Sequence, residues 1–91
     1  MKYGIRKTAR FKKSLKLMLK RGKDNGKMAK IVHLLANGKP LPPECKDHAL
    51  SGDLAGLRDC HIENDWILFY SIKDNILLLT LSDTGTHADL F

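Results

Sequence analysis

The chain of 91 residues, 43% of them hydrophobic, is long enough for one domain (1–91) with a single core and too apolar to be disordered. Sixteen lysines and arginines against ten acids give a net charge of +6, which favours an anionic partner such as nucleic acid. No apolar run has the length of a membrane span and no signal peptide is evident. Cys45 and Cys60 lack companion ligands at metal spacing, so we expect reduced thiols in a cytoplasmic protein.

The first half of the sequence predicts a short strand followed by two amphipathic helices. Residues 2–7 alternate weakly in polarity, and Thr8 is a suitable N-cap for a helix over 9–21. A second helix is predicted over 26–37, with Gly38 in the left-handed position that often follows a helix. Because only a few residues join the two helices, we expect them to form an antiparallel pair.

The second half has the composition and turn residues of β-strands. After a proline-rich connector over 39–47, aromatic and branched residues dominate the segments 56–63, 66–73 and 76–82. Turn residues between these segments predict an antiparallel meander, and the middle and last strands are apolar on both faces. The predicted fold class is therefore α+β, with an N-terminal antiparallel helix pair packed on a small, mainly antiparallel β-sheet.

Three of the four histidines fall in the predicted sheet half. They are His48, His61 and His87. His61 should share a strand face with Asp59 and Glu63, and the turn after it should bring Asp65 beside it. An imidazole next to a carboxylate is held in one tautomer, and converging imidazoles can supply both a proton acceptor and a proton donor near neutral pH.

Transesterification of RNA requires such an acid and base and little else. The base takes the 2′-hydroxyl proton, the oxygen attacks the adjacent phosphorus, and the acid protonates the departing 5′-oxygen, with no metal and no cofactor. Lys46 and Arg58 could stabilise the charge that develops on the phosphoryl oxygens.

Each of these residues also has a simpler interpretation. A histidine in a small domain is usually a half-buried polar side chain, and three of them with Asp65 could form a zinc site, although no HxH or HxxxH spacing supports one. Trp66 is favoured as a core residue over a base-stacking platform, and Phe91 could be no more than a hydrophobic plug on the sheet.

Three segments carry a resemblance to a known family: LPPECKDHALSG (41–52), GLRDCHIENDWILFY (56–70) and DTGTHADLF (83–91). In this order and spacing they resemble the YafQ branch of the RelE/ParE superfamily of bacterial toxins, and the resemblance covers essentially the whole chain. It implies the toxin of a type II toxin–antitoxin system, a ribosome-dependent endoribonuclease that cuts mRNA in the A site. It also implies a cognate DinJ- or RelB-like antitoxin in a heterotetramer or larger complex, with the ribosome and mRNA as further partners and no membrane.

The resemblance assigns catalytic roles residue by residue. His48, His61, Asp65 and His87 match the catalytic histidines and aspartate of the family. It implies that His87 is the general acid. His61 or His48, oriented by Asp65, would be the base or would hold the 2′-hydroxyl.

The same resemblance covers two aromatic residues and shows one departure. Phe91 matches a terminal aromatic that positions the mRNA base, and Trp66 matches a neighbouring site residue. YafQ-type toxins commonly carry an arginine four residues before the last histidine as a clamp on the scissile phosphate, where this chain has Asp83. A carboxylate would repel phosphate, so either Asp83 turns away or Arg58 or Lys46 supplies the clamp.

Other functions are compatible with the sequence. A ParE-like toxin inhibits DNA gyrase by binding and cuts no RNA, and a non-catalytic nucleic-acid-binding protein or a degenerate, weakly active toxin are further alternatives. Convergent histidines favour the nuclease, because a protein that only binds does not need them. In the last ten residues, Gly85 should provide the turn that brings His87 over the sheet, and Leu90 and Phe91 should hold the tail down.

Overall fold

The computed structural model describes residues 1–91 and contains five strands, two long helices and one short helix. In chain order these are β1 (Gly4–Lys7), α1 (Ala9–Lys20), α2 (Asn25–Ala36), β2 (His48–Ala49), β3 (Arg58–Glu63), β4 (Trp66–Lys73), β5 (Leu78–Gly85) and α3 (His87–Leu90). Short 3₁₀ turns occupy Pro43–Cys45, Gly52–Leu54 and Asp74–Ile76. The predicted α+β class is confirmed.

Both long helices begin at side-chain caps, and the cap of the first helix is the predicted Thr8. The Phe11 amide donates to Thr8 Oγ1 at 3.0 Å, and the Gly26 amide donates to Asp24 Oδ1 at 2.8 Å. Gly38, with φ of +68°, takes the left-handed conformation just after α2. The apolar stripes of the helices are buried against the sheet through Phe11, Met18, Met28, Ile31 and Leu35.

The strands form one sheet in the order β1-β5-β4-β3-β2. Strands β3, β4 and β5 make the predicted antiparallel meander, and β1 is added at one edge parallel to β5. Strand β2, which pairs with the start of β3, was not predicted, because two residues beside a proline-rich connector carry no readable period.

Alternation of side chains gives the sheet two different faces. Cys60, Trp66, Leu68, Tyr70 and Leu81 belong to the core shared with α1 and α2, and we call their side of the sheet the helix face. The opposite side, the site face, carries two buried residues outside that core and the residues directly across from them in the strand register. The site face consists of Ile67 and Phe69 with Asp59, His61 and Asp83.

Two β-bulges interrupt the alternation. The bulge between His61 and Glu63 breaks the predicted pattern, and Glu63 instead forms ion pairs with Lys23 at 2.9 Å and Lys27 at 2.6 Å, near the start of α2. The second bulge lies opposite Phe69 and Tyr70, where β5 gains one extra residue, and it places Asp83 on the site face. Without that extra residue, Asp83 would follow Leu81 onto the helix face.

Candidate active site

The three histidines of the sheet half converge at one end of the site face. His87 is the first residue of α3, and its ring centroid lies 5.4 Å from that of His61, with the rings nearly perpendicular at 78°. His48 is directly opposite Asp59 in the pairing of β2 with β3. The unpredicted strand β2 is therefore the element that places His48 in the cluster.

Asp59 lies between two of these imidazoles. Its Oδ1 is 3.6 Å from His61 Nε2, and its Oδ2 is 4.0 Å from His48 Nε2. Asp59 is only 3% exposed, and its Oδ1 accepts no hydrogen bond. An imidazolium formed on either ring would be stabilised by this buried carboxylate. We assigned Asp59 no role from the sequence, although its i, i+2 spacing with His61 was visible there.

Asp65 is bonded to His87 and not, as we predicted, to His61. Its Oδ1 accepts from the His87 backbone N–H at 2.9 Å and from His87 Nδ1 at 2.7 Å. These hydrogen bonds, the backbone one first, hold the pKa of the Asp65 carboxyl below its ordinary value. An ionised carboxylate can only accept, so Nδ1 of His87 carries the proton and Nε2 faces away from Asp65.

The tautomer of His48 is set by the backbone. Its Nδ1 lies 2.7 Å from the carbonyl oxygen of Lys46, and since a carbonyl only accepts, this nitrogen carries the hydrogen. In the neutral ring Nε2 is then the free acceptor, as a general base requires. Lys46 has a left-handed conformation with φ of 49°, at the turn that precedes β2.

The C-terminal tail is held by a reciprocal cap. The Asp89 amide donates to Thr86 Oγ1 at 3.2 Å, and the Thr86 amide donates to Asp89 Oδ2 at 2.9 Å. Arg21 at the end of α1 binds the same carboxylate at 2.7 Å and, with the bonds from Thr86, lowers the pKa of Asp89 to about 2. These contacts fix the start of α3 and with it the backbone of His87.

Gly85 precedes the turn into α3, as predicted, and its lack of a side chain is what this position requires. It is the last residue of β5, and its φ is not positive. A Cβ at this position would lie 2.9 Å from Asp89 Cβ, so the glycine leaves room for the carboxylate that caps α3.

Phe91 is anchored at one edge and open on the remainder of its surface. Its ring meets Phe69 edge-on at a centroid distance of 5.4 Å and lies 6.1 Å from the His87 ring at 30°. The residue is 64% exposed. An exposed aromatic face beside a candidate acid is suited to stacking with a base.

The three other predicted substrate contacts are placed differently. Trp66 is fully buried on the helix face, where its Nε1 donates to Thr84 Oγ1 at 2.9 Å, so it cannot touch a substrate in this conformation. Arg58 pairs with Asp47 at 3.1 Å, because it lies one residue before Asp59 and the strand turns it to the opposite face. The Lys46 side chain is exposed and makes no hydrogen bond or ion pair.

Asp83, which stands where YafQ-type toxins commonly carry an arginine, does not turn away from the site face. Its Oδ1 accepts from the Thr84 amide at 2.8 Å. Its Oδ2 lies 3.1 Å from Nε of Arg10 in α1. The carboxylate is therefore fixed by the backbone and paired with a cation from the first turn of α1.

The remaining reactive groups lie outside this cluster. Cys45 and Cys60 are unpaired and buried, and desolvation raises the pKa of both thiols. No three or more histidine, cysteine, aspartate or glutamate side chains are arranged to hold a metal ion. None of the helices combines the length and apolar character needed to cross a membrane.

The α+β fold of this chain is shared with a class of bacterial toxins. The family model described as "Bacterial toxin of type II toxin-antitoxin system, YafQ" matches residues 3–91. The chain therefore belongs to the YafQ family of type II toxins.

Individual relatives agree with this assignment. The mRNA interferase toxin YafQ of Escherichia coli (strain K12) is 46% identical over 88 residues, which covers 96% of this chain and 94% of the relative. The crystal structure of the E. coli DinJ-YafQ toxin-antitoxin complex matches with a TM-score of 0.88 and 43% identity, covering 100% of this chain and 99% of the other. A metal-bound toxin from Helicobacter pylori matches with a TM-score of 0.91 and 39% identity, covering 98% and 99%. The predicted resemblance is confirmed.

Proposed function

We propose that this toxin is a ribosome-dependent endoribonuclease that cleaves mRNA in the A site by attack of the 2′-hydroxyl on the adjacent phosphorus. The observation that carries the proposal is the convergence of His48, His61 and His87, with a carboxylate, Asp59 or Asp65, in reach of each ring. The relative in E. coli is named an mRNA interferase, which supports the same reaction class.

The geometry supports a division of roles among the histidines. His48 or His61 takes the proton of the 2′-hydroxyl, and the other ring holds the hydroxyl. As the new P–O2′ bond forms and the P–O5′ bond breaks, His87 in its imidazolium form donates the Nε2 proton to the departing 5′-oxygen and becomes neutral. Asp65 keeps the Nδ1 proton of His87 in place during this step. The products are a 2′,3′-cyclic phosphate and a 5′-hydroxyl, and the mechanism uses neither metal nor cofactor.

The charges of the site support dependence on the ribosome. Asp59 and Asp65 lie beside the imidazoles and Asp83 is on the same face of the sheet, while most lysines and arginines lie in the first 30 residues. A site with this balance aligns free RNA poorly, so a ribosome that presents mRNA in a fixed geometry supplies the missing orientation. The reaction would take place in the cytoplasm, where translating ribosomes are found.

We further propose that a DinJ-like antitoxin binds and silences this toxin, in a heterotetramer or a larger complex. The support is the E. coli DinJ-YafQ complex, whose toxin matches this chain along its whole length.

The test is to map mRNA 5′ ends in a translating extract with wild-type protein, His87→Ala and His33→Ala. His33 is the matched control, because it is a histidine on α2 whose side chain bonds only Asn37. We expect new ends with wild type and His33→Ala, only when ribosomes are present, and a reduction of about 10²–10⁴-fold with His87→Ala. New ends at equal rates with His87→Ala would refute the assignment. Intact mRNA together with inhibition of gyrase would support the ParE-like alternative.

A further inference from the structure

Arg10 forms an unusual ion pair at the edge of the site face. Its Nε lies 3.1 Å from Asp83 Oδ2, but the guanidinium makes no hydrogen bond, and 82% of the side chain is exposed. Asp83 itself is 15% exposed and is fixed by the bond from the Thr84 amide. The pair therefore places a cation at the edge of the site face and leaves its hydrogen-bond donors free.

Two other arginine–aspartate pairs of the molecule are built differently. Arg21 donates from both terminal nitrogens to Asp89, at 2.7 and 3.4 Å. Arg58 donates from Nε and Nη2 to Asp47, at 3.3 and 3.1 Å. Both use the planar fork of donors that suits a carboxylate or a phosphate, whereas Arg10 keeps its fork free.

The end of β1 explains how a residue of α1 reaches the site face. Strand β1 pairs with β5 only as far as Leu81, after which the chain turns into α1 and Thr8 Oγ1 donates to the Ser82 carbonyl at 2.8 Å. This bond holds the first turn of α1 against the open edge of β5, beside Asp83. Arg10, Asp83 and Phe69, among others, line a groove at this edge. The ring of Phe69 is also the one that Phe91 contacts.

We propose that Arg10, positioned by Asp83, binds a phosphate group of the mRNA strand next to the bond that is cut. This inference rests on the proposed nuclease function and names the residue that would bind the phosphate of the substrate. Asp59, Asp65 and Asp83 would together repel the substrate, and Arg58 lies on the opposite face, so a cation with free donors must offset them. Lys46 is also exposed and unpaired, but its ammonium lacks the planar fork that binds a phosphate through two donors. Because Asp83 holds the guanidinium near the site beforehand, less side-chain entropy is lost on binding.

The test compares kcat/KM for ribosome-dependent cleavage of a defined mRNA by wild type, Arg10→Ala, Arg10→Lys and Lys12→Ala. Lys12 is the matched control, an exposed cation in the same helix with no ion pair. We expect a loss of about 10- to 100-fold for Arg10→Ala, since hydrogen bonds to charged groups are strong. Arg10→Lys should lose less, and Lys12→Ala should lose less than about threefold. Equal losses in Arg10→Ala and Lys12→Ala would overturn the proposal.

The positioning role of Asp83 has its own signature. Asp83→Asn should reduce kcat/KM by a smaller factor than Arg10→Ala, because the loss of the positioning contact is partly offset by the loss of a repelling charge. In the Arg10→Ala background, Asp83→Asn should cause no further loss, because there is no guanidinium left to position. Losses that multiply in the double variant would overturn this role. Melting temperatures within a few degrees of wild type would show that the exposed pair is not acting through stability.

Two further measurements distinguish mRNA from ribosomal RNA as the source of the phosphate. They also distinguish failure of this inference from failure of the proposed function. In sedimentation with ribosomes that lack mRNA, Arg10→Ala should bind as Lys12→Ala does, and a larger loss would mean that Arg10 contacts ribosomal RNA instead. His87→Ala is measured in parallel. If it loses cleavage while Arg10→Ala matches the control, this inference alone fails. If wild type does not cleave, or His87→Ala cleaves normally, the proposed function fails with it.

Discussion

The helix face and the site face share strands β3, β4 and β5, and they differ in what covers them. The helix face meets two amphipathic helices and buries Trp66, Leu68 and Tyr70 in one continuous core. The site face is covered by the short tail and turns, with Arg10 of α1 at one edge, and it holds imidazoles, carboxylates and the exposed ring of Phe91. Because side chains alternate along a strand, one set of residues supplies stability and the next set supplies chemistry.

The two faces therefore differ in how much their residues contribute to the free energy of unfolding. Burying a large apolar side chain contributes about 1.5–3 kcal/mol, whereas an exposed ion pair contributes about 0–1 kcal/mol. The unsatisfied Asp59 carboxylate is tolerated on the site face because the helix face supplies the folding free energy. Substitutions on the helix face should change stability, and substitutions of the polar side chains of the site face should change activity.

The strongest test of this separation is removal of both candidate bases. His48→Ala with His61→Ala should reduce cleavage by about 10²–10⁴-fold, because no imidazole remains to accept the 2′-hydroxyl proton. The melting temperature should change by only a few degrees, since neither ring belongs to the core. Cleavage rates and thermal denaturation, measured for the single and double variants, check this expectation. Cleavage at the wild-type rate would exclude both residues as the base.

The opposite result is expected for Trp66. Trp66→Ala should reduce the free energy of unfolding by about 3–5 kcal/mol, because it leaves a cavity in the helix-face core. Trp66→Phe keeps most of the packing and removes the bond to Thr84, at a cost of about 1–3 kcal/mol. Denaturant titration measures both variants. Well below its melting temperature, Trp66→Phe should cleave at the wild-type rate, and a tenfold fall there would restore a substrate role for this tryptophan.

Substitution of Phe91 is expected to change the stability of the fold little and the rate of cleavage more strongly. Phe91→Ala, or deletion of Leu90 and Phe91, should leave the fold largely intact and slow cleavage by about 5- to 150-fold, because base stacking on an aromatic ring contributes ~1–3 kcal/mol. Ile76→Ala, at an exposed apolar residue of a turn, is the control for loss of exposed apolar surface. Full activity in the truncated protein would show that the tail does not position the substrate.

The smallest effect concerns the carboxylate that holds the tail. Folding lowers the pKa of Asp89 from 3.8 to about 2, chiefly through Arg21. A carboxyl whose pKa is lowered on folding adds stability above its unfolded pKa and loses it as the pH falls through the folded value. The higher melting temperature of wild type over Asp89→Asn should therefore be constant above about pH 4, shrink towards pH 2 and disappear below it. A difference that does not change with pH would show that the charge of Asp89 is unimportant.

The sequence by itself determined the local elements of this protein. Periodicity and caps predicted α1, α2 and β4 to within a residue or two, because helical stripes, the Thr8 cap and branched, aromatic runs are local signals. The last strand was predicted over 76–82 and is found at Leu78–Gly85. The positions of three histidines in the predicted sheet half, together with the family resemblance, also indicated the residues of the candidate site.

Only the tertiary structure decided how those residues are paired. Strand β2, the bulge that turns Asp83 onto the site face and the pairing of Asp65 with His87 depend on strand register and on contacts between distant segments. The pair of Arg10 with Asp83 joins the first turn of α1 to the end of β5. Such contacts leave no trace in local composition, because their free energy arises only after the chain has closed long loops and fixed the register of the sheet.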